Sequence, residues 1–392
     1  MKILFVHANN DDIGGADFCL FKLIYELHVG NYEIEPMIVL SKSTEIVNLY
    51  SQYNIPYAII PMTRIQKRIS LFYYVQLLLN FFPTLKKLKN IINDNQIDIV
   101  FSNDLMDIYG GIASRMAGVK GIQYIRMILP KKTITRTILT KLSLKFNNRI
   151  LVVSKSVGRY MFWEKKISKI NPKVMVCNDW IDMKLVGHEN GKENIRNELN
   201  LESKIVITSV SRLEPWKGQK ILIQAIPEVI KVFKDVAFLL VGGIVKGRKR
   251  EAYGEALKQI AKSNGSDEFI HFLGERKDVK TILENSDIFV HSPISPDPFP
   301  GVVLESMASS KVVIGSNDGG IPEEIEEGET GLLFEAGNSH DLAKKIMYLL
   351  SNRKLIVEMG DMGYKRVHNN FVKEKIVPQM VNILNNTLNE IN

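Results

Sequence analysis

Two cations bracket a tight turn near the middle of the chain. Arg212 and Lys217 lie in the segment Val210–Gly218, between an apolar run that ends near Ser209 and a helix-like pattern of apolar residues. The free backbone N–H groups of a helix N-terminus and two positive side chains together suit a diphosphate group. The segment therefore predicts a site for a phosphorylated ligand, although a solvated basic loop has the same composition.

Two carboxylates follow a later apolar run. Asp297 lies in a proline-rich loop, and Glu305 follows eight residues later, inside a helix predicted to begin near Val302. A carboxylate on a loop and one on the next helix can accept hydrogen bonds from different hydroxyls of one polyhydroxylated ligand. This spacing suits binding better than hydrolysis by paired carboxylates, in which both groups must flank a single bond.

A third segment, Gly315–Glu324, also passes from a strand pattern to a helix start. Its glycines, Gly319 and Gly320, permit close approach of the backbone to a ligand, or a positive φ. A structural turn explains the two glycines equally well.

The elements that must position these residues alternate between strand and helix in both halves, which is typical of a parallel sheet covered by helices. The strand-like runs are Ile3–His7, Ile34–Leu40, Ile97–Phe101, Ile122–Arg126, Ile150–Val153, Ile205–Ser209, Ala237–Val241, Phe269–Leu273, Ile288–His291 and Val312–Gly315. Open sheets of this kind bind ligands beyond the carboxyl ends of their strands. All three segments follow strand-like runs, so we predict two α/β domains whose sheets face each other across an interdomain cleft.

Turn residues at Asn178–Asp182 mark the predicted domain boundary, which gives domains at 1–179 and 180–371. The last segment, 372–392, has a helical pattern of apolar residues. It either stays with the second domain or packs back on the first.

Taken together, the segments resemble the retaining glycosyltransferases of family 4, which have the GT-B fold. Members of that family carry an Arg and Lys pair, a Glu-x7-Glu segment, a Gly-Gly-x-x-Glu segment and a Thr-Gly-Leu-Leu run, which here is Thr330–Leu333. All four occur here in the same order, and the match is tightest over Lys204–Phe334. In the first half, the loop Gly14–Asp17 looks like the family's N-terminal glycine loop.

The resemblance implies two Rossmann-like domains and the transfer of a sugar, with retention, from a nucleotide diphosphate. It implies that Arg212 and Lys217 bind the diphosphate and stabilise the charge that develops on it. By the same resemblance, Glu305 accepts hydrogen bonds from the ribose and Asp297 holds a hydroxyl of the sugar. The other donor contacts that it implies are Gly14, Gly15, Arg276, Phe299, Gly301, Val302, Gly319 and Gly320.

Two departures from the family pattern bear on the sugar and on the catalytic base. Asp297 stands where the family has Glu and lies between two prolines, and Pro300 removes one backbone donor from the loop. Arg126 stands at or near the position where the family often has a His. Asp104 is a substitute base, or else a loop or N-cap carboxylate. We therefore regard Asp104 and Arg126 as the candidate acceptor-side residues.

The sequence predicts no metal site. The seven His residues are scattered, and no Asp-x-Asp pair ends a strand-like run. The resemblance likewise implies metal independence, with Arg212 and Lys217 acting where other transferases use a divalent cation. We expect no cofactor, and we expect a UDP-sugar or a GDP-sugar as the donor.

The net charge of +8 is divided unevenly, since residues 1–185 have 25 basic and 14 acidic residues and the remainder has a net charge of −3. No acidic residue lies between Glu45 and Asp94 or within Ile108–Trp163. In the first of these gaps, cations flank an aromatic-rich apolar segment, 69–82, which suits either a bilayer interface or a core helix with solvated ends. These cations are Arg64, Lys67, Arg68, Lys86, Lys87 and Lys89.

The second acid-free run, with six cations in Lys131–Arg149, predicts a basic face that attracts an anionic partner. Zinc-finger, RNP and KH motifs are missing, so sequence-specific nucleic-acid binding has no support. An anionic membrane surface explains the charge better.

The chain has no run of about 18 uncharged apolar residues and no signal-peptide pattern, and its only cysteines are Cys19 and Cys177. These features predict a cytoplasmic protein, peripheral on the inner face of the cell membrane. We predict a glycosyltransferase that acts on a glycan or lipid-linked saccharide in bacterial surface polysaccharide synthesis. The alternatives are a non-catalytic sugar-nucleotide-binding or membrane-scaffold protein, and a phosphorylase or epimerase of the same fold.

Overall fold

A computed structural model describes residues 1–9, 14–63, 71–129, 133–163, 171–183, 195–243 and 248–390. It divides into two compact units. The first consists of Met1–Asp179 and Glu374–Asn392, and the second of Trp180–Lys373.

The first unit is built on a seven-stranded parallel sheet with the strand order β3-β2-β1-β4-β5-β6-β7. Ile3 to Val6 of β1 are completely buried, because helices cover both faces of the sheet. The strand order reverses between β1 and β4, so the carboxyl ends of these two strands flank the switch point at which open sheets bind ligands. The strands are β1 Lys2–His7, β2 Glu35–Leu40, β3 Tyr57–Ile59, β4 Ile99–Asn103, β5 Lys120–Ile125, β6 Arg149–Val152 and β7 Val174–Val176.

The helices of the first unit are α1 Gly15–Val29, α2 Ile46–Gln52, α3 Leu71–Asp94, α4 Ile108–Ala117, α5 Ile134–Phe146 and α6 Lys155–Phe162. No helix among the described residues is both long enough and apolar enough to cross a bilayer.

The second unit has a six-stranded parallel sheet with the order β10-β9-β8-β11-β12-β13. Its switch point lies between β8 and β11. The strands are β8 Ile205–Val210, β9 Val236–Val241, β10 Ile270–Gly274, β11 Ile288–His291, β12 Val312–Ser316 and β13 Gly331–Phe334. The helices are α7 Ile195–Glu198, α8 Gln219–Val232, α9 Arg248–Ser263, α10 Val279–Glu284, α11 Gly301–Ala308, α12 Ile321–Glu324, α13 Ser339–Ser351 and α14 Arg353–Asn370, with 3₁₀ turns at Pro215–Lys217 and Asp267–Phe269.

The terminal helix, α15 (Lys373–Asn389), belongs to the first unit from Glu374 onward. Two cations of that unit hold its end. The Lys120 Nζ atom donates to the Glu390 carbonyl oxygen at 2.7 Å, and the Arg149 guanidinium pairs with the Glu390 carboxylate. Of the two arrangements that the helical pattern left open, the structure has the one in which this segment packs on the first unit.

The predicted fold class is confirmed, since each unit is a Rossmann-like α/β unit with a parallel sheet. Every predicted strand is present, with bounds within two residues of the prediction. The ten predicted runs do not include β3, β7 or β13. All three are edge strands of three or four residues, too short to show a clear apolar run.

Candidate functional site

The loops after β8 and β11 are joined by a buried ion pair. Lys217 ends the 3₁₀ turn after β8, and its Nζ atom lies 2.6 Å from the Oδ2 atom of Asp297 in the loop after β11. Asp297 is buried, and the Lys217 side chain is largely buried. Two residues that the sequence separates by 80 positions are therefore direct partners.

His291, the last residue of β11, also contacts Asp297. Its Nε2 atom lies 2.9 Å from the same Oδ2 atom. Burial lowers the pKa of His291 even though the neighbouring carboxylate opposes that shift, so the ring is neutral and donates its Nε2–H to Asp297. Sequence reasoning missed this residue, although its position at a strand end six residues before Asp297 was a usable signal.

Asp297 is ionised in this setting. Burial by itself raises the pKa of a carboxyl group, but the Lys217 charge and the hydrogen bonds from His291 and Lys217 outweigh it and hold the pKa well below its usual range. The site therefore presents a fixed negative charge paired with a fixed positive charge at the carboxyl edge of the sheet.

Two glycines let the surrounding loops approach closely. Gly218, at φ +72°, precedes α8, and a Cβ atom there would lie 1.7 Å from the Ser292 carbonyl oxygen. Gly319, at φ +67°, has its Cα so close to the Asp297 backbone that a Cβ would lie 2.2 Å from the Asp297 carbonyl oxygen. The next residue, Gly320, donates its N–H to that oxygen at 2.7 Å. The glycine turn after β12 thus supports the Asp297 loop, as the structural-turn interpretation of Gly319 and Gly320 requires.

Helix α11 places Glu305 at the same edge of the sheet. It begins at Gly301 after Pro300, and Glu305 is exposed on its second turn. The N–H groups of Gly301 and Val302 belong to its first turn and therefore have no partner within the helix. Phe299, by contrast, is buried, and its ring packs edge-on against Phe371 at 5.6 Å between centroids.

The two arginines predicted for this site have different surroundings. Arg212 follows β8 with its side chain half exposed, and its Nη2 atom lies 3.8 Å from the Glu214 Oε2 atom. Arg276 donates from Nε and Nη2 to the two carboxylate oxygens of Asp278, at 2.8 and 2.7 Å, and also pairs with Glu198. Arg212 is thus an accessible cation five residues before Lys217, whereas Arg276 is paired with Asp278 and Glu198.

Glu324 is a second buried carboxyl group near Asp297. Its side chain is completely buried, and neither oxygen has a hydrogen-bond partner among the described residues. Burial raises its pKa well above the usual range, and the charges of Asp297 and Glu323 add to the effect. Arg366 lies nearby but donates to the backbone carbonyls of Glu324 and Glu323, at 2.7 and 2.9 Å. Glu324 is therefore neutral while Asp297 is charged.

Replacing Glu324 with Gln tests this assignment. The folded protein binds one proton more than the unfolded chain above the ordinary glutamate pKa of 4.5, so wild-type stability falls by up to about 1.4 kcal/mol per pH unit there. Glu324→Gln has the same shape and no such dependence. We expect the melting temperature of the variant relative to wild type to rise between about pH 5 and pH 8.

The exposed Glu329→Gln exchange is the matched control and should show no such trend. A Glu324→Gln variant whose stability relative to wild type is constant over this pH range would mean that Glu324 is ionised in the folded protein.

In the first unit, a histidine lies between two carboxylates at the carboxyl end of β1. The Nε2 atom of His7 is 2.8 Å from Asp17 Oδ1, and its Nδ1 atom is 3.1 Å from Asp107 Oδ2. All three residues are buried. Burial lowers the pKa of His7, but the hydrogen bonds and charges of Asp107 and Asp17 outweigh it and raise the pKa to about 9. His7 is therefore a buried imidazolium at neutral pH.

This triad anchors the glycine loop. The second oxygen of Asp17 accepts a hydrogen bond from the Gly14 N–H at 2.7 Å, and Asp107 accepts one from the Ala8 N–H at 3.1 Å. Gly15 begins α1 and is exposed. The donor contacts predicted for Gly14 and Gly15 stay predictions, and residues 10–13 of the loop lie outside the described residues.

Arg126, after β5, is an internal ion-pair partner. Its Nε atom lies 3.1 Å from both carboxylate oxygens of Asp179, and its guanidinium stacks on the Tyr124 ring at 3.8 Å. It also donates to the Asn103 side chain. Arg126 thus links Asp179 to the ends of β4 and β5.

Asp104 has a local backbone role at the end of β4. It adopts a left-handed conformation, with φ +77°, and its Oδ1 atom accepts a hydrogen bond from the Leu105 N–H at 2.8 Å. This geometry matches the loop-carboxylate interpretation of Asp104. The acceptor-side roles predicted for Asp104 and Arg126 stay predictions.

Several sequence-based expectations concern residues outside the described ranges. They include the cations Arg64, Lys67, Arg68, Lys131 and Lys132. The side chains at 71–74, 76 and 78 of α3 also lie outside the description. Among the described residues, no group of three or more His, Cys, Asp or Glu is placed to hold a metal ion.

The buried triad of His7, Asp17 and Asp107 should make the stability of the protein depend on pH. The pKa of His7 is about 9 in the folded protein, and its ordinary value is 6.5. The contribution of the charged ring to the free energy of unfolding is therefore complete below about pH 6.5 and is lost as the pH rises to about 9. We expect His7→Gln to lower the free energy of unfolding by about 3 kcal/mol at low pH and by progressively less above it. Urea unfolding at several pH values measures this difference.

His28→Gln, on the last turn of α1, is the matched control. A stability loss in His7→Gln that does not change with pH would show that His7 is uncharged in the folded protein.

Part of the chain is similar to a known family of proteins. Residues 191–366 match the family model described as glycosyl transferases group 1. Spore coat protein SA of Bacillus subtilis (strain 168) is 30% identical over 198 residues, which cover 50% of this chain and 52% of that protein. The chain thus spans about half the length of this curated relative.

A second relative matches over a longer part of the chain. The N,N'-diacetylbacillosaminyl-diphospho-undecaprenol alpha-1,3-N-acetylgalactosaminyltransferase of Campylobacter jejuni is 29% identical over 294 residues, 72% of this chain and 74% of that protein. Among solved structures, Anabaena HepE in complex with UDP is 23% identical, with a TM-score of 0.84 over 98% of this chain and 100% of that chain. At this identity the likeness shows a shared fold.

Proposed function

We propose that this chain, whose residues 191–366 match the family model of the glycosyl transferases group 1, transfers a sugar from a nucleotide diphosphate to a glycan or lipid-linked saccharide. The observation that carries the proposal is the buried Lys217–Asp297 pair, at 2.6 Å, beside the start of α8. In this proposal the transfer retains the configuration of the sugar.

The cations would act on the leaving group. As the bond to the sugar breaks, negative charge develops on the diphosphate, and a preorganised cation stabilises that charge without reorganisation at the moment of reaction. Lys217 is held in place by Asp297 and keeps N–H donors for a phosphate oxygen, since an ammonium group has three. Arg212 is the accessible second cation. These two residues would make a divalent metal unnecessary, and we expect activity to persist in EDTA.

The carboxylates and the start of α11 would hold the rest of the donor. Glu305 is exposed, and its two carboxylate oxygens can accept hydrogen bonds from two ribose hydroxyls. The N–H groups of Gly301 and Val302 would donate to sugar hydroxyls. Asp297 would accept from one hydroxyl with the lone pairs that Lys217 and His291 leave open.

The donor nucleotide is proposed by analogy. Crystal structures of HepE contain UDP and UDP-glucose, so a UDP-sugar is our first candidate and a GDP-sugar the second. The Campylobacter relative is named for an acceptor on a diphospho-undecaprenol lipid. We propose an acceptor of that class, presented at the cytoplasmic face of the cell membrane during synthesis of a surface polysaccharide.

Nucleotide binding by paired variants tests the donor site. We expect Lys217→Ala and Glu305→Ala each to weaken UDP or GDP binding at least tenfold, about 1.4 kcal/mol, because each loses a charged contact to the ligand. Calorimetric titration gives the dissociation constants. Nucleoside diphosphate release from the matching sugar donor, with a membrane extract as the acceptor source, gives the activity.

Lys231→Ala on α8 and Glu358→Ala on α14 are matched controls, since both residues are exposed and helical. They should bind nucleotide as wild type does. Unchanged binding by Lys217→Ala would remove this lysine from the donor site. Nucleotide binding without any release of nucleoside diphosphate would favour a non-catalytic sugar-nucleotide-binding protein.

A further inference from the structure

Helix α3 carries an exposed apolar stripe. Val75, Leu79 and Phe82 are 43%, 68% and 72% exposed, and their spacing of four and three residues places them on one face of the helix. The next residue on this face, Lys86, is also exposed. The stripe is therefore apolar in its N-terminal part and basic in its C-terminal part.

Helix α5 has the same arrangement. Ile134 and Ile138 are 81% and 51% exposed and lie one turn apart. Lys141 and Lys145 continue the face and are exposed. The order along the helix, apolar first and basic afterwards, is that of α3.

The fold places the two stripes on the same side of the first unit. Helices α3 and α5 both lead from the carboxyl edge of the parallel sheet back to the start of the next strand, so both begin at that edge. Helix α4 packs against both of them. The exposed apolar side chains therefore lie toward the carboxyl edge, and the lysines lie farther from it.

The charge around these stripes has one sign. No acidic residue occurs in positions 46–93 or 108–163, which include all of α5 and all of α3 except its last residue, Asp94. Binding of a protein partner through an apolar patch does not in general require a surface without acidic residues. A bilayer with anionic headgroups does, because apolar side chains enter the boundary between headgroups and acyl chains while lysines bind the headgroups.

We propose that the α3–α5 face, formed by Val75, Leu79, Phe82, Ile134 and Ile138 with Lys86, Lys141 and Lys145, docks the protein on the surface of an anionic phospholipid bilayer. Docking by this face brings the carboxyl edge of the first sheet close to the headgroups. This inference rests on the proposed function in one respect, namely that a lipid-linked acceptor gives the docking its purpose.

Co-sedimentation with phospholipid vesicles tests the proposal. The probe is phosphatidylcholine with about one-third phosphatidylglycerol, at about 0.05 M and 0.5 M salt, because attraction between exposed charges is screened at the higher salt. We expect the wild-type chain to sediment at low salt and to be largely released at high salt. Leu79→Ser/Phe82→Ser and Ile134→Ser/Ile138→Ser should each lower the vesicle partition coefficient about tenfold or more.

The second unit offers a matched control. Val232 and Val357 are 66% and 63% exposed on other helices, so Val232→Ser/Val357→Ser removes similar exposed apolar groups. This control should bind vesicles within about twofold of wild type. Because all the exchanged side chains are exposed, melting temperatures should stay close to that of wild type and so exclude misfolding.

Three outcomes overturn the proposal: no wild-type sedimentation at low salt, equal sedimentation at both salt concentrations, or wild-type binding by both Ser pairs. If sedimentation velocity shows a dimer that either Ser pair dissociates, the face belongs to a second copy of the chain instead. Nucleotide binding measured without vesicles is independent of all these results. Loss of vesicle binding alone therefore rejects the docking face, and loss of nucleotide binding alone rejects the donor site.

Discussion

The candidate donor site depends on one buried ion pair, between Lys217 and Asp297. Removing two charges from water costs several kcal/mol per ion, so such a pair persists only where geometry and further hydrogen bonds compensate. Here His291 supplies a second hydrogen bond to Asp297, and the glycine turn after β12 supports the backbone of the same loop. Loops from three neighbouring strands are thereby brought to one position at the carboxyl edge of the sheet.

In both units, the surroundings of a buried ionisable side chain determine whether it is charged. In the second unit, Asp297 is ionised because it faces Lys217, whereas Glu324 is neutral because it is completely buried and its oxygens have no hydrogen-bond partner among the described residues. In the first unit, His7 is charged because it lies between Asp17 and Asp107. Residues with similar ordinary pKa values thus have different charges, and oppositely shifted groups of this kind recur at functional sites.

The sequence predicts the sheets well and the contacts within the site poorly. Strands buried on both faces appear as continuous apolar runs, so the central strands are predicted to within two residues, whereas the short edge strands β3, β7 and β13 are not predicted. The motifs indicate that Lys217 and Asp297 belong to one chemistry, but no spacing rule shows that they touch each other. The neutrality of Glu324 depends on burial by residues distant in sequence, and no pattern in the sequence indicates that Arg126 pairs with Asp179.

A double-mutant cycle tests the central claim, that Lys217 and Asp297 act as one unit in sugar transfer, most directly. The measurement is kcat/KM for nucleoside diphosphate release by wild type, Lys217→Met, Asp297→Asn and the double variant. The account predicts strong non-additivity, with the double variant little worse than either single one and a coupling free energy of at least about 1 kcal/mol. Strictly additive losses, or a single variant with wild-type kcat/KM, would contradict it.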